Sequence, residues 1–172
     1  NVEAEEWSAE LEEKIKEMVQ QNKLRKRFLD RLNTLLSKYN SGAHDLDAFF
    51  DQLVELAREL SEEDRRAISE NLSEEELAIF DLLKKEDLNP DEIDQVKKVA
   101  KELIVRLKEE KLALDWKKKE ETRADVKVTI RSLLYDNLPE PTYSDTDCEK
   151  RTQMVYLHVY DSYVDEKVNV YS

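Results

Sequence analysis

The sequence contains almost none of the residues that interrupt regular secondary structure. Among its 172 residues there is one glycine, Gly42, and only three are prolines. Phosphate-binding loops need glycines at fixed spacing, and sheets need a regular supply of turn residues. The scarcity of both residues argues against sheets, barrels and glycine-rich phosphate loops, and it favours long helices.

Cysteines and long apolar runs are also scarce. Cys148 is the single cysteine, which excludes an internal disulfide and a cysteine-based zinc cluster. One free thiol suits a reducing cytoplasm, and this is the location we expect. No apolar run approaches the roughly 18 residues that indicate a membrane span, and no signal peptide is recognisable. Because the chain starts at Asn1 rather than at methionine, we expect a piece of a larger protein.

Charge is abundant and unevenly distributed. Charged residues make up 40% of the chain, and the formal net charge is −13. Residues 1–40 hold 8 basic and 8 acidic residues, and residues 41–95 hold 5 basic and 18 acidic residues. Residues 96–135 hold 12 basic and 7 acidic residues, and residues 136–172 hold 3 basic and 8 acidic residues. A protein this acidic is a poor general binder of nucleic acid. We therefore expect the basic helices to pack against the acidic ones.

Apolar residues recur in alternating steps of four and three between residues 11 and 39, which predicts one long helix over 3–40 with a heptad seam. Asn22 and Arg25 interrupt this seam. Such polar positions either fix the register of a coiled coil or mark the point where a helix leaves its partner. The sequence around Gly42 predicts the end of the helix.

The rest of the chain also has helical periodicity. Ser73 with Glu76, and Asn89 with Glu92, are spaced as capping boxes that start helices. The predicted helices cover about 45–60, 61–71, 73–84, 89–112, 115–135 and 145–163. The expected fold is all-α, an elongated bundle of about seven helices. We divide it into a long N-terminal helix over 1–42, a helical domain over 43–163 and a C-terminal tail over 164–172.

Residues suited to catalysis are few. His44 and His158 are the only histidines, neither lies in a catalytic motif, and we expect each to be exposed or to cap a helix. The nuclease-like triplet Glu109-Glu110-Lys111 lies in a predicted helix of a chain rich in both residue types. We expect no catalytic, cofactor-binding or metal-binding residue here.

Trp116 and the three basic residues after it, Lys117, Lys118 and Lys119, form the candidate partner-docking site. Tryptophan beside basic residues is typical of interface hot spots. The alternative interpretation is that Trp116 belongs to the core and that the lysines form its solvated flank. Under that alternative, replacing Trp116 would reduce stability as well as binding.

Three stretches of sequence resemble one family. They are the capped segment 71–83, the segment 96–130 with its Leu-Asp-Trp at 114–116, and the His-Val-Tyr-Asp-Ser-Tyr run at 158–163. Their order and spacing resemble the C-terminal helical region of the R subunit of type I restriction–modification enzymes. The resemblance covers roughly Leu46 to Tyr163.

This resemblance implies a role in assembly. R subunits of the family carry a nuclease domain and ATP-driven motor domains N-terminal to the helical region. That region is thought to join the R subunit to the methyltransferase core of M and S subunits. The resemblance thus implies ATP and Mg²⁺ for the full-length subunit, which cleaves DNA, but no cofactor for this segment.

Three functions stay open from the sequence. The first is a non-catalytic assembly module that docks onto the M and S subunits. The second is a nucleic-acid contact module that uses the basic segment 96–135, although direct DNA contact fits poorly with the net charge. The third is a self-associating coiled coil through residues 3–40, which requires an unburied heptad seam.

Overall fold

The computed structural model describes residues 1–113, 115–163 and 170–171, and eight α-helices account for most of this described part. These described residues contain no β-strand, and the expected all-α fold is confirmed. The helices are α1 (Val2–Gln21), α2 (Lys26–Asn40), α3 (Leu46–Asp64), α4 (Arg66–Ser69), α5 (Glu74–Leu83), α6 (Pro90–Arg106), α7 (Glu120–Asn137) and α8 (Asp145–Ser162). The predicted tail lies outside the described residues, apart from residues 170–171.

The helices form two compact units, Asn1–Asn71 and Leu72–Ser172. The first unit holds α1 to α4, and the second holds α5 to α8. The boundary expected after residue 42 falls inside the first unit, because α3 packs on both α1 and α2.

The expected single helix over 3–40 is two helices in the structure, so that prediction was wrong. At Asn22 the backbone is extended, with φ −150° and ψ 107°. Its side-chain oxygen accepts a hydrogen bond from the backbone N–H of Leu24 at 3.2 Å, which starts a short 3-10 turn over Lys23–Arg25. Asparagine stabilises such caps because its side chain replaces a missing backbone partner. The polar interruption of the seam therefore marks a reversal of the chain.

Helices α1 and α2 form an antiparallel hairpin against α3. Ala4 near the start of α1 and Tyr39 near the end of α2 line the same hollow. The ring of Tyr39 stacks on that of Phe49 in α3, with centroids 4.5 Å apart. The shared core contains many of the predicted seam residues, among them Leu11, Ile15, Met18 and Leu32. The seam is thus largely covered by the unit itself.

A buried ion-pair cluster lies where α1 meets α2. The Arg25 guanidinium is fully buried, and its Nε lies 3.0 Å from Oε1 of Glu63, which is 6% exposed. Arg66 reaches the same carboxylate at 3.0 Å, and Arg27 reaches it at 3.6 Å. One carboxylate near the end of α3 is therefore held by three guanidinium groups from different turns. The cluster fixes the α1–α2 turn against α3.

In the second unit, helix starts follow from local capping chemistry. The capping boxes predicted at Ser73 and Asn89 are both formed. Each cap side chain accepts a hydrogen bond from the backbone N–H of the residue three positions later. A third box joins Ser144 to Asp147 at the start of α8. It was not predicted, because aspartate stands where the motif has glutamate or glutamine.

We expect Ser73→Ala and Asn89→Ala each to lower the free energy of unfolding by about 1 kcal/mol, the usual loss for an N-cap. Each change removes the acceptor for one backbone N–H, that of Glu76 or Glu92. Urea unfolding followed by circular dichroism measures the loss. Ser132→Ala, an exposed position inside α7, is the control and should change stability little. Unchanged midpoints for both cap variants would contradict these assignments.

The connection from α6 to α7 differs from the predicted pattern. α6 passes into a π-type turn over Leu107–Lys111, and a 3-10 turn over Trp116–Lys118 follows. Asp115 begins that turn with a left-handed φ of 63°. The helix expected from residue 115 starts at Glu120 instead, which leaves Trp116 in a turn rather than on a helix face.

Two side chains fix α8 against the end of α5. The Tyr143 hydroxyl donates to the carbonyl oxygen of Leu83 at 2.7 Å, and Arg151 Nε donates to the same oxygen at 2.9 Å. These bonds satisfy a carbonyl group that the end of a helix leaves free. One face of α8, together with its C-cap Tyr163, is buried, and it consists of Cys148, Thr152, Val155, Val159 and Tyr163.

Stability should fall in alkaline solution because of Tyr143. Burial raises the pKa of Tyr143 from the ordinary 10.0 to about 12. Between these pH values the unfolded phenol loses a proton that the folded one keeps, so this contribution to stability is lost as pH rises. Tyr143→Phe should cost about 1 kcal/mol near pH 8, the value of one hydrogen bond. The difference in free energy of unfolding between wild type and Tyr143→Phe should shrink above pH 10. Urea titrations that give the same difference at every pH would contradict this prediction.

Candidate docking surface

Trp116 lies in the core. Its side chain is 1% exposed, and the indole Nε1 donates to the backbone carbonyl oxygen of Tyr163 at 3.3 Å. A side chain buried in this way cannot contact a partner directly. The expectation of an exposed anchor at Trp116 is therefore corrected in favour of the core alternative.

The turn that carries the three lysines is held by the start of α7. The Thr122 hydroxyl donates to the backbone carbonyl groups of Trp116 and Lys119. The Arg123 guanidinium donates to the carbonyl of Lys117. These bonds fix the backbone of the turn, so the lysine side chains leave it from defined positions.

The three lysines are not equivalent. Lys118 and Lys119 are exposed, and Lys118 pairs with Asp115 at 3.1 Å. Lys117 is half-buried, and its Nζ lies 4.4 Å from the centroid of the Tyr160 ring. Burial lowers the pKa of Lys117, and the charge of Asp161 opposes that shift. Lys117 thus places a partly desolvated ammonium group on an aromatic face.

Helix α8 presents a second, solvent-facing stripe beside these lysines. Leu157 is 49% exposed and Tyr160 is 38% exposed, and Tyr156 is half-buried. The rings of Tyr156 and Tyr160 have centroids 6.3 Å apart. The Tyr160 ring also meets the buried Trp116 ring edge-on at 6.0 Å. Trp116 therefore supports this surface from beneath.

A second lysine lies over the other tyrosine. Nζ of Lys127, from α7, is 5.7 Å from the Tyr156 centroid. We call the combined surface the tyrosine–lysine face, which consists of Lys117, Lys127, Tyr156, Leu157 and Tyr160. Two aromatic rings, an exposed leucine and two ammonium groups suit it to binding a protein, because aromatic residues are enriched in interfaces.

Sequence reasoning found one edge of this face and missed the rest. The spacing of Tyr156, Leu157 and Tyr160 puts them on one side of a helix, next to the buried stripe of α8. This helical spacing is the signal in the sequence that could have located the three residues. Lys127 carried no comparable signal, because it joins the face only through packing of α7 on α8.

Other residues expected to matter lie elsewhere. His158 is 2% exposed, and its Nε2 lies 3.2 Å from the Tyr171 hydroxyl, so the expected exposed or capping role is wrong for this histidine. His44 lies half-buried in the loop before α3. Among residues 1–113, 115–163 and 170–171, no three His, Cys, Asp or Glu side chains form a group that could hold a metal ion.

ATP and Mg²⁺ were expected only for a longer subunit, and that expectation stays a prediction. No helix in the part of the chain that the structure describes is both long enough and apolar enough to cross a membrane.

The fold and surface together define an all-helical domain with an aromatic and basic face. A family model described as type I restriction enzyme HindI endonuclease subunit-like, C-terminal, matches residues 1–159. The chain belongs to this family, and the resemblance seen in the sequence is confirmed.

A relative from Methanocaldococcus jannaschii is described as the endonuclease subunit of the type I restriction enzyme MjaIXP. It is 31% identical over 110 residues, which cover 63% of this chain and 11% of the relative. The matched region thus spans about a tenth of the relative's length. No solved structure matches this chain.

Proposed function

We propose that this domain attaches an endonuclease subunit to the M and S methyltransferase subunits of a type I restriction enzyme. The observation that carries the proposal is the tyrosine–lysine face, an ordered aromatic surface on the outside of the second unit. Family membership supports it by placing the domain in the C-terminal part of such subunits. In this proposal ATP and Mg²⁺ act elsewhere in a longer subunit, and the complex works in the cytoplasm.

The third sequence-based hypothesis, self-association, has less support. It needs a heptad seam that is open to a second copy. In the structure Ile15, Met18 and Leu32 are each no more than 2% exposed, because α3 covers the α1–α2 hairpin. The same apolar surface is not available for pairing between chains.

Competition for the methyltransferase core tests the proposal. The chain should bind a purified M–S core in biolayer interferometry, and it should displace the full-length endonuclease subunit from that core. Cleavage of DNA by the complete enzyme should fall as the chain is added. Absence of binding, together with undiminished assembly of the complete enzyme, would overturn the proposal.

One variant links binding to the surface. Tyr160→Ala should weaken binding to the M–S core by roughly tenfold or more, since buried tyrosines are frequent hot spots. The melting temperature should change little, because Tyr160 is substantially exposed. Val105→Ala on α6 is a matched control, an apolar side chain that is 53% exposed on another helix. Equal affinities for both variants would show that binding does not use this face.

A further inference from the structure

The tyrosine–lysine face is basic within an acidic unit. Residues 72–172 contain 17 basic and 24 acidic residues, a net charge of −7. Lys117 and Lys127 lie on the face, and Asp161 is the carboxylate whose charge acts on Lys117. The Lys127 charge also acts on Glu149, but that carboxylate already pairs with Arg131 at 2.6 Å. The local excess of positive charge favours a partner that supplies carboxylates.

The spacing of the two tyrosine rings suits a helical partner. One ammonium group lies over each ring, and the ring centroids are 6.3 Å apart. Tyr156 and Tyr160 are four residues apart, which is about 6 Å along a helix axis. The Cβ atoms at positions i and i+4 of a facing helix are about 5–6 Å apart, so two carboxylates there match the spacing of the rings.

Leu157 supplies the apolar part of the contact. It lies between the two tyrosines in sequence and is 49% exposed. An amphipathic helix binds by placing apolar side chains at positions i, i+3 and i+4 against such a surface. Because the lysines already rest on the tyrosine rings, little side-chain freedom is lost when carboxylates approach them.

We infer that the tyrosine–lysine face binds an acidic amphipathic helix of the M–S core, whose carboxylates at i and i+4 pair with Lys117 and Lys127 while an apolar side chain covers Leu157. This inference rests on the proposed function, and it adds the chemistry of the partner.

Single-stranded nucleic acid fits the same face less well. Such ligands bind by stacking bases on the open faces of aromatic rings. Here an ammonium group covers one face of Tyr160 at 4.4 Å and one face of Tyr156 at 5.7 Å. Tyr160 also packs against Trp116 in a T-shaped arrangement. The face is therefore better suited to ion pairs and apolar contacts with a protein than to base stacking.

Charge reversal tests the inference. Lys117→Glu/Lys127→Glu should weaken binding to the M–S core on the order of 30-fold or more, because like charges then meet at the contact. Weakening of the wild-type complex by salt should largely disappear in this variant. Lys26→Glu/Lys98→Glu is the charge-matched control, which changes two exposed lysines on α2 and α6. The control should bind within about threefold of wild type, well below a hot-spot effect.

Rescue identifies the partner chemistry. Hydrogen exchange of the M–S core with and without the chain should locate one protected acidic helix. Changing its i and i+4 carboxylates to lysine should restore binding to the charge-reversed chain. If the charge-reversed chain melts at a lower temperature than wild type, the variant Lys117→Met/Lys127→Met is tested instead. Its binding to the M–S core should then no longer depend on salt.

The negative outcomes are distinct. If the wild-type chain does not bind the M–S core, the proposed function fails and the inference fails with it. If it binds and charge reversal has no effect, only the inference is overturned. If charge reversal abolishes binding of single-stranded DNA but leaves M–S binding unchanged, DNA is the occupant of the face. If charge reversal instead abolishes self-association in sedimentation, a second copy of the chain is the occupant. Either result overturns the inference.

Discussion

Glu63→Ala should lower the free energy of unfolding by about 3–5 kcal/mol, the usual cost of removing one partner of a buried ion pair. The change takes away the carboxylate that lies 3.0 Å from Nε of the fully buried Arg25. Arg66 loses the same partner. Positive charge is then left in a place where water cannot solvate it well, so the α1–α2 turn should loosen from α3.

A double variant separates the pair from its surroundings. Arg25→Met/Glu63→Leu removes both buried charges together and keeps similar volumes, and such replacements are often neutral or stabilising. It should therefore recover most of the loss seen in Glu63→Ala. Urea unfolding gives both values, and Lys14→Ala, which removes an exposed pair with Asp64, is the surface control. A Glu63→Ala protein within about 1 kcal/mol of wild type would contradict the buried cluster, since surface changes have effects of that size.

Trp116→Ala should have a comparable effect on the second unit, about 3–5 kcal/mol, because it removes a large buried ring. The change also removes the donor to the carbonyl oxygen of Tyr163, which caps α8. In addition, Tyr160 loses the aromatic ring that packs against it with a centroid distance of 6.0 Å. Both stability and binding to the M–S core should therefore decrease in this variant.

Trp116→Phe is the matched control. It keeps an aromatic ring but loses the Nε1 donor, so it should cost less than the alanine variant and preserve more of the surface. Because the chain has two compact units, unfolding curves should be fitted with two transitions. A substitution at Trp116 should lower the midpoint of the transition that belongs to residues 72–172. A folded Trp116→Ala protein with wild-type stability would contradict the core position.

Helix starts in the second unit were predictable because their chemistry is local. Ser73 and Asn89 each need only a glutamate three residues later, and the sequence displays both pairs. The break at Asn22 was harder to predict, because a polar residue in a seam is compatible with a continuous helix or with a reversal. The contact of Arg25 with Glu63, 38 residues away, favours the reversal, and it cannot be read from the local sequence.

The candidate site was predictable only in part, for a similar reason. Composition pointed to Trp116 and the lysines after it, but it could not distinguish a buried indole from an exposed one. The deciding contact is with Tyr163, 47 residues further along the chain. The tyrosine–lysine face itself joins three segments that are separate in sequence, the turn at 117, α7 at 127 and α8 at 156–160.

The reversal at Asn22 also determines how far the first unit can reach. A continuous helix over 3–40 would extend for about 57 Å, at 1.5 Å per residue. In the hairpin, Ala4 and Asn40 line one hollow, so the end of α2 lies close to the start of α1. A rod of that length would act as a spacer between two attached bodies. The hairpin instead holds whatever is joined to its two ends close together.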